Sequence, residues 1–99
     1  LRDRAEEAAL AATLGSIRSG TAIYHGKQLA NGIDPTWPAE MDDQPVGSCT
    51  TCFSNVLENP IDDDRWEKFG SWYSYTMRDG TMLSFKYYPA NGNFLPFSP

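Results

Sequence analysis

The stretch LRDRAEEAALAATLGSIRSGTAIYHGKQLA, residues 1–30, reads as one helix with two different apolar faces. At 3.6 residues per turn, its larger side chains share one narrow stripe. These side chains are Leu10, Leu14, Ile17, Thr21 and Tyr24. The stripe predicts a helix over residues 1–31 that packs on a sheet, with Gly32 as its natural terminator.

The opposite side of this helix carries small residues. They are Ala5, Ala8, Ala11, Ala12, Gly15, Ser19, Ala22 and Gly26, called the small-residue strip below. Small side chains let a second backbone approach closely, whereas a monomeric domain would normally place charge on its outward side. We therefore expect the strip to contact another subunit. The expected interface residues are Ala5, Ala8, Ala12, Gly15, Ser19 and Ala22.

Two interpretations of the helix start remain open. Asp3 and Glu6 have the spacing of a capping box, which would begin the helix there. Alternatively, the helix is the visible part of a longer one from which residues upstream of Leu1 were removed. Residues 1–30 would span about 45 Å, longer than a domain of this size needs to cover its sheet. We favour the longer helix.

Length and charge limit the classes of function. The chain has 99 residues, 40% of them hydrophobic, which predicts one domain with a modest core. Its net charge of −5 argues against binding nucleic acid or an anionic membrane surface through basic groups. No run approaches the roughly twenty apolar residues that cross a bilayer.

The remainder of the chain divides into a loop and a sheet. Residues 32–70 are interrupted by prolines and predict an irregular connection with short helical turns after Pro38 and Thr51, anchored by Trp37. Residues 71–95 alternate as an antiparallel meander. The fold class is therefore α+β, with a long N-terminal helix packed on a small C-terminal antiparallel sheet.

The first hairpin of the meander has a register that the pattern decides. A three-residue loop over 78–80, with Gly80 left-handed, pairs Tyr75 with Leu83 and Tyr73 with Phe85. A two-residue loop would mix apolar and polar side chains on each face. The apolar face of this hairpin is the expected partner of the helix. On the other face, Trp72 and Tyr88 would mark a contact surface if exposed.

This arrangement resembles the soluble region of type IV pilin-like proteins, especially the pseudopilins of type II secretion systems. The resemblance spans nearly the whole chain, and LRDRAEEAALAATLGSIRSGTAIY is its most specific part, similar to the segment after the membrane-spanning half of a pilin helix. PTWPAEM, VLENPI and YSYTMRDGTMLSFKYYPANGNF resemble later landmarks. The family's basic leader, cleavage glycine and glutamate-bearing apolar helix are not among residues 1–99.

The resemblance implies a non-enzymatic structural subunit of a pilus or secretion pseudopilus. Its partners would be copies of itself, other pilin-like subunits and the inner-membrane assembly machinery. An upstream helix would insert it in the bacterial inner membrane, and a prepilin peptidase would process it, with methylation of the new terminus. It would reside in the inner membrane and periplasm before assembly, and in a periplasmic or extracellular filament afterwards.

The CTTC motif, Cys49 and Cys52, has two interpretations. In a reducing cytosol this spacing would be a redox couple or half a metal site. A small periplasmic thiol-disulfide protein that uses these two cysteines is the first alternative function. Zinc needs about four ligands, and the chain offers no second cysteine pair and one histidine, His25. For an exported domain, as the resemblance implies, we favour a structural disulfide.

Glu58, Asp62, Asp63 and Asp64 form the densest group of oxygen ligands. Calcium takes six to eight oxygens, and major pseudopilins carry a calcium site in their C-terminal loops, so a calcium-dependent binding module is the second alternative. DDD is not an EF-hand spacing, and we favour a solvated acidic turn, with Arg65 and Lys68 as its neutralising partners. No cofactor is expected otherwise. His25 has no assignable nucleophile, so no enzymatic activity is expected.

Overall fold

A computed structural model describes residues 4–34 and 36–98 and confirms an α+β fold with one N-terminal helix. The elements are α1 (Arg4–Asn31), β1 (Gly47–Cys52), β2 (Ile61–Lys68), β3 (Trp72–Thr76), β4 (Met82–Tyr88) and β5 (Asn93–Pro96). The five strands form one sheet in the order β1-β2-β3-β4-β5, with every neighbouring pair antiparallel. Each strand therefore lies beside the strands that precede and follow it in the chain.

Helix α1 uses one side for the core. Leu10, Ile17 and Thr21 of the predicted stripe are buried, and Leu14 packs against the core from its edge. Twenty-eight residues make α1 about 42 Å long, close to the 49 Å long axis of a molecule only 25 Å and 24 Å across. The proposed helix start at Leu1 and the Asp3 capping box lie outside the described residues.

The carboxyl end of α1 follows the prediction. Gly32 has a φ of 64°. Its N–H donates to the carbonyl of Leu29, and the N–H of Ile33 donates to the carbonyl of Gln28. This pair of bonds is the Schellman motif, in which glycine accepts the left-handed conformation at no steric cost.

The sequence-predicted register of the first hairpin is confirmed. Tyr75 pairs with Leu83 and Tyr73 with Phe85. Gly80, with a φ of 90°, ends the three-residue loop. The register holds because a one-residue slip would turn every aromatic side chain of β3 to the wrong face.

The expectation of a strand-free connection over 32–70 is wrong, because β1 and β2 lie within it. Neither strand has a continuous period-two hydrophobic pattern. In β2, Asp62, Asp63 and Asp64 are exposed, and the buried side chains are those of Trp66 and Lys68. Strand β2 therefore forms because it pairs with β1 and β3, and not because of a hydrophobic pattern of its own. The helical turn predicted after Pro38 does not form.

The second predicted turn does form. The N–H groups of Val56 and Leu57 both donate to the carbonyl of Phe53. Phe53 itself is fully buried with a φ of 64°. Its ring contacts those of Trp66, Tyr73 and Phe94, which places this turn at the centre of the aromatic core.

Candidate functional site

The small-residue strip is exposed along α1. Every one of its eight residues is in the exposed class. Apart from the adjoining backbone of α1, a Cβ added at Gly15 or Gly26 would meet no atom of the described residues within 4 Å, so these two positions face open space. Two large apolar side chains of the same helix, Ile23 and Leu29, are 59% and 58% exposed. The strip is thus available for contact with another molecule.

Glu6 ties the beginning of α1 to the β3–β4 hairpin. Its carboxylate accepts hydrogen bonds from the Tyr75 hydroxyl at 3.2 Å and from the backbone N–H of Arg78. The Arg65 guanidinium lies 3.7 Å away and also donates to the carbonyl of Thr76. Burial and the Glu6 charge raise the pKa of Tyr75. The Arg65 guanidinium therefore contacts this junction rather than the carboxylates of the acidic turn.

A second polar cluster surrounds Asp42, which is fully buried. One carboxylate oxygen accepts from Lys68 Nζ at 2.6 Å, and the other accepts from the Tyr73 hydroxyl at 2.7 Å and the Phe53 N–H at 2.8 Å. Lys68 also donates to the carbonyl of Gln44. The cluster joins the loop before β1 to strands β2 and β3, so Lys68 is not a partner of the acidic turn either.

The electrostatics of this cluster favour an ionised Asp42. Burial alone would raise the pKa of its carboxyl group, but the hydrogen bonds from Lys68, Phe53 and Tyr73 outweigh that effect and lower it below the usual 3.8. Burial, together with the neighbouring Asp42 charge, strongly raises the pKa of Tyr73. The site therefore holds a paired carboxylate and ammonium with a neutral phenol at its side.

Gln44 holds the same loop against β1. Its Nε2 donates to the carbonyl of Ser48 at 2.8 Å, and its Oε1 accepts from the N–H groups of Thr50 and Thr51 at 2.8 Å and 2.6 Å. These bonds satisfy backbone groups at the irregular part of β1, where the register shifts twice. Gln44 thus replaces the strand partner that an edge strand lacks.

Cys49 and Cys52 lie at disulfide-bonding distance, with Cα atoms 5.2 Å apart. They are 2% and 0% exposed. Cysteines that exchange disulfides are at least partly accessible to a partner thiol. The cross-link closes the end of β1 immediately before Phe53, which is the arrangement of a structural bridge.

The acidic residues proposed as calcium ligands do not converge. Asp62, Asp63 and Asp64 are successive exposed residues of β2, so their side chains alternate between its two faces. The carboxylate of Asp63 accepts from the N–H of Arg65, and Glu58 lies in the exposed segment before β2. Within residues 4–34 and 36–98, no group of three or more His, Cys, Asp or Glu side chains is placed to hold a metal ion.

His25 and Trp37 form a stacked pair that sequence reasoning missed. Their ring planes differ by 3°, with centroids 3.6 Å apart, and His25 Nδ1 lies 3.3 Å from the carbonyl of Thr36. The Trp37 ring also occupies the space where a Cβ would stand on Gly92. Trp37 therefore anchors its loop between α1 and the β4–β5 turn, half-buried.

The outer face of the sheet partly covers itself. Trp72 is half-buried between Phe69, whose ring stacks on it at 4.3 Å, and Phe97. Lys86 lies over the rings of Tyr88 and Phe97 at 5.5 Å and 5.3 Å. Only Tyr88 of the expected pair is exposed, at 36%, so the two do not form one open platform.

No signal in the sequence distinguishes Asp42 from its exposed neighbour Asp43. Lys68 was detectable in principle: once β2 is recognised, it shares a face with Trp66, and a buried lysine needs a carboxylate partner. The predicted strip and the Asp42 cluster are separate features, on the outer side of α1 and at one end of the sheet.

Comparison with protein-family models, curated proteins and solved structures finds no match for this chain. In the part of the chain that the structure describes, no helix has the length and hydrophobicity needed to cross a membrane.

Proposed function

We propose that this chain is a non-enzymatic structural subunit of a type IV pilus or a type II secretion pseudopilus, assembling through packing of its N-terminal helix. The observation that carries the proposal is the exposure of the whole small-residue strip while burial is confined to the other side of α1. The outer face of a surface helix is normally charged or polar. Small residues there allow a neighbouring helix to approach closely.

Two large apolar side chains on α1 add contact area to the proposed interface. Ile23 and Leu29 are exposed near the carboxyl half of α1. Burying the exposed part of these two side chains against another subunit contributes about 1–2 kcal/mol each. The strip would then supply the close approach, and these two residues would supply apolar contact area, with copies of this chain and other pilin-like subunits as partners.

The geometry gives less support to the alternatives. A thiol-disulfide protein would expose at least one sulfur, whereas Cys49 and Cys52 are buried. A calcium-dependent module would gather its carboxylates, whereas Asp62, Asp63 and Asp64 alternate along β2. The resemblance to pilin-like proteins and the exposed strip both favour a filament subunit.

Bulky substitutions on α1 test the proposal. Ala8→Trp and Gly15→Trp lie on the strip, and Ala9→Trp is a matched control, exposed on the same helix but off the strip. The full-length protein is expressed with its assembly machinery, and filaments are counted by electron microscopy. We expect the strip variants to lose filaments and Ala9→Trp to retain them, with all three folded by circular dichroism. Normal assembly of the strip variants would overturn the proposal.

Cross-linking tests the contact directly. The chain has two cysteines, and they are paired, so introduced cysteines supply the reactive thiols. We expect Ala8→Cys combined with Ala22→Cys to give oligomer ladders on oxidation of filaments, and Ala9→Cys with Ala22→Cys to give weaker ones.

The proposal also expects the reading frame upstream of Leu1 to encode an apolar helix preceded by a basic leader.

A further inference from the structure

A cavity of about 360 Å³ lies at one end of the sheet, beneath the loop before β1 and beside the turns that follow β2 and β4. Its size is at the low end of the range for ligand sites, about 300–1,000 Å³. Its walls are mostly apolar and include Met41, Pro45, Val46, Tyr87 and Pro89. This volume suits one amino-acid side chain with its adjoining amide.

Most polar groups around the cavity are already satisfied. The Tyr73 hydroxyl donates to Asp42, and the Tyr87 hydroxyl donates to the carbonyl of Pro38. The side chain of Gln44 is taken up by backbone groups of β1. The two tyrosine rings therefore offer apolar surface to the cavity.

Lys68 is the exception. An ammonium has three N–H donors, and two of them go to Asp42 and to the carbonyl of Gln44. Lys68 also lines the cavity. The hydrogen bonds that its ammonium donates to described residues go to these two acceptors, which leaves one N–H for a ligand. Because Asp42 already neutralises the ammonium, the acceptor that fits is a neutral oxygen such as a carbonyl.

Glu40 supplies the complementary group. It lines the same cavity and is exposed, so its carboxylate can accept from an N–H group entering from solvent. A donor and an acceptor beside apolar walls match the carbonyl, the N–H and the side chain of one peptide residue. We propose that this cavity binds one apolar residue of an extended peptide segment from a partner protein, with Lys68 donating to its carbonyl and Glu40 accepting from its N–H.

The proposal is independent of the filament function, because no residue of α1 lines the cavity. Loss of filaments in strip variants would leave peptide binding unchanged. Failure of peptide binding would equally leave assembly unaffected. The two proposals can therefore fail separately.

A capped tripeptide tests the inference. Acetyl-Ala-Leu-Ala-amide is titrated into the ¹⁵N-labelled chain and compared with acetyl-Ala-Gly-Ala-amide. We expect saturable chemical-shift changes at backbone amides lining the cavity, and affinity at least tenfold weaker for the glycine peptide because it buries no side chain. No saturable change at the cavity, or equal affinity of the two peptides, would overturn the proposal.

Substitutions at exposed residues locate the site and leave the buried Lys68–Asp42 pair intact. We expect Ala39→Trp, at the edge of the cavity, to weaken binding at least tenfold by filling it, and Ala9→Trp to leave binding unchanged. Glu40→Ala removes one hydrogen-bond acceptor and should weaken binding about fivefold. Unchanged affinity in Ala39→Trp, or in Glu40→Ala, would contradict the assignment.

Discussion

The ammonium of Lys68 lies 2.6 Å from Oδ1 of Asp42, and the two side chains are only 9% and 0% exposed. This pair connects the loop before β1 to the inner face of β2. A buried ion pair of this kind adds little to the free energy of unfolding compared with a well-packed apolar pair of similar volume. Removing one partner is nevertheless strongly destabilising, because it leaves an uncompensated buried charge. The loop that covers this end of the sheet therefore depends on one carboxylate.

Asp42→Asn tests that dependence. The variant keeps the shape of the side chain but leaves the Lys68 ammonium without a counter-charge, so we expect a loss of about 3–5 kcal/mol in the free energy of unfolding. Urea denaturation followed by tryptophan fluorescence measures it. Asp43→Asn is the matched control, because Asp43 is exposed and should change stability by less than about 0.5 kcal/mol. Equal effects of the two substitutions would show that the pair does not hold the loop.

Acid should destabilise the protein through the same residue. The pKa of Asp42 is lowered on folding from its usual 3.8, so its contribution is fully present above that value and is lost as the pH falls through the folded pKa. Melting temperatures measured from neutral pH into this acid range should fall more steeply in the wild type than in Asp42→Asn. Parallel curves for the two proteins would contradict this origin of the acid sensitivity.

Gly20→Ala should destabilise, contrary to the usual gain from replacing glycine inside a helix. A Cβ at Gly20 would overlap the backbone carbonyl of Val56, where α1 approaches the turn after β1. Overpacking of this kind costs about 1–3 kcal/mol. At the open position Gly15, the same substitution should instead stabilise by about 0.5–1 kcal/mol. Chemical denaturation of both variants measures the difference, and a stabilised Gly20→Ala would disprove the close approach.

Removing the cysteine pair should have a moderate effect. The cross-link between Cys49 and Cys52 spans three residue steps, and chain entropy for so short a loop amounts to about 2 kcal/mol. We expect Cys49→Ala combined with Cys52→Ala to lose about that much free energy of unfolding while remaining folded. Guanidinium denaturation measures it. Unchanged stability would indicate that the bridge does not constrain the unfolded chain.

Local pattern was sufficient where each element carries its own signal. The stripe of Leu10, Ile17 and Thr21 predicted the buried side of α1, and Gly32 predicted its end. The alternation around Tyr73 and Tyr75 predicted the hairpin register. Helix periodicity and strand alternation follow from backbone geometry within a short segment, so a single sequence is enough to read them.

Strand β2 shows where local pattern fails. Its first residues after Ile61 are three aspartates, a composition typical of turns, yet they extend because β1 pairs with Ile61 and Asp63 at this end of the strand. The other end, residues 66–68, pairs with both β1 and β3. Edge strand β1 likewise depends on Gln44 and on the cysteine pair rather than on hydrophobic alternation. The free energy that forms these strands comes from residues distant in the chain.

The sequence by itself determined a long amphipathic helix, a hairpin with a three-residue loop and a helix face of small residues, because each depends on spacings within one segment. Only the tertiary structure decided that Asp42, rather than Asp43, is buried with Lys68 and Tyr73, residues 26 and 31 positions away. The cavity beside them arises in the same way, from loops that meet at one end of the sheet. Such contacts depend on how the chain closes in space, and no local spacing encodes that closure.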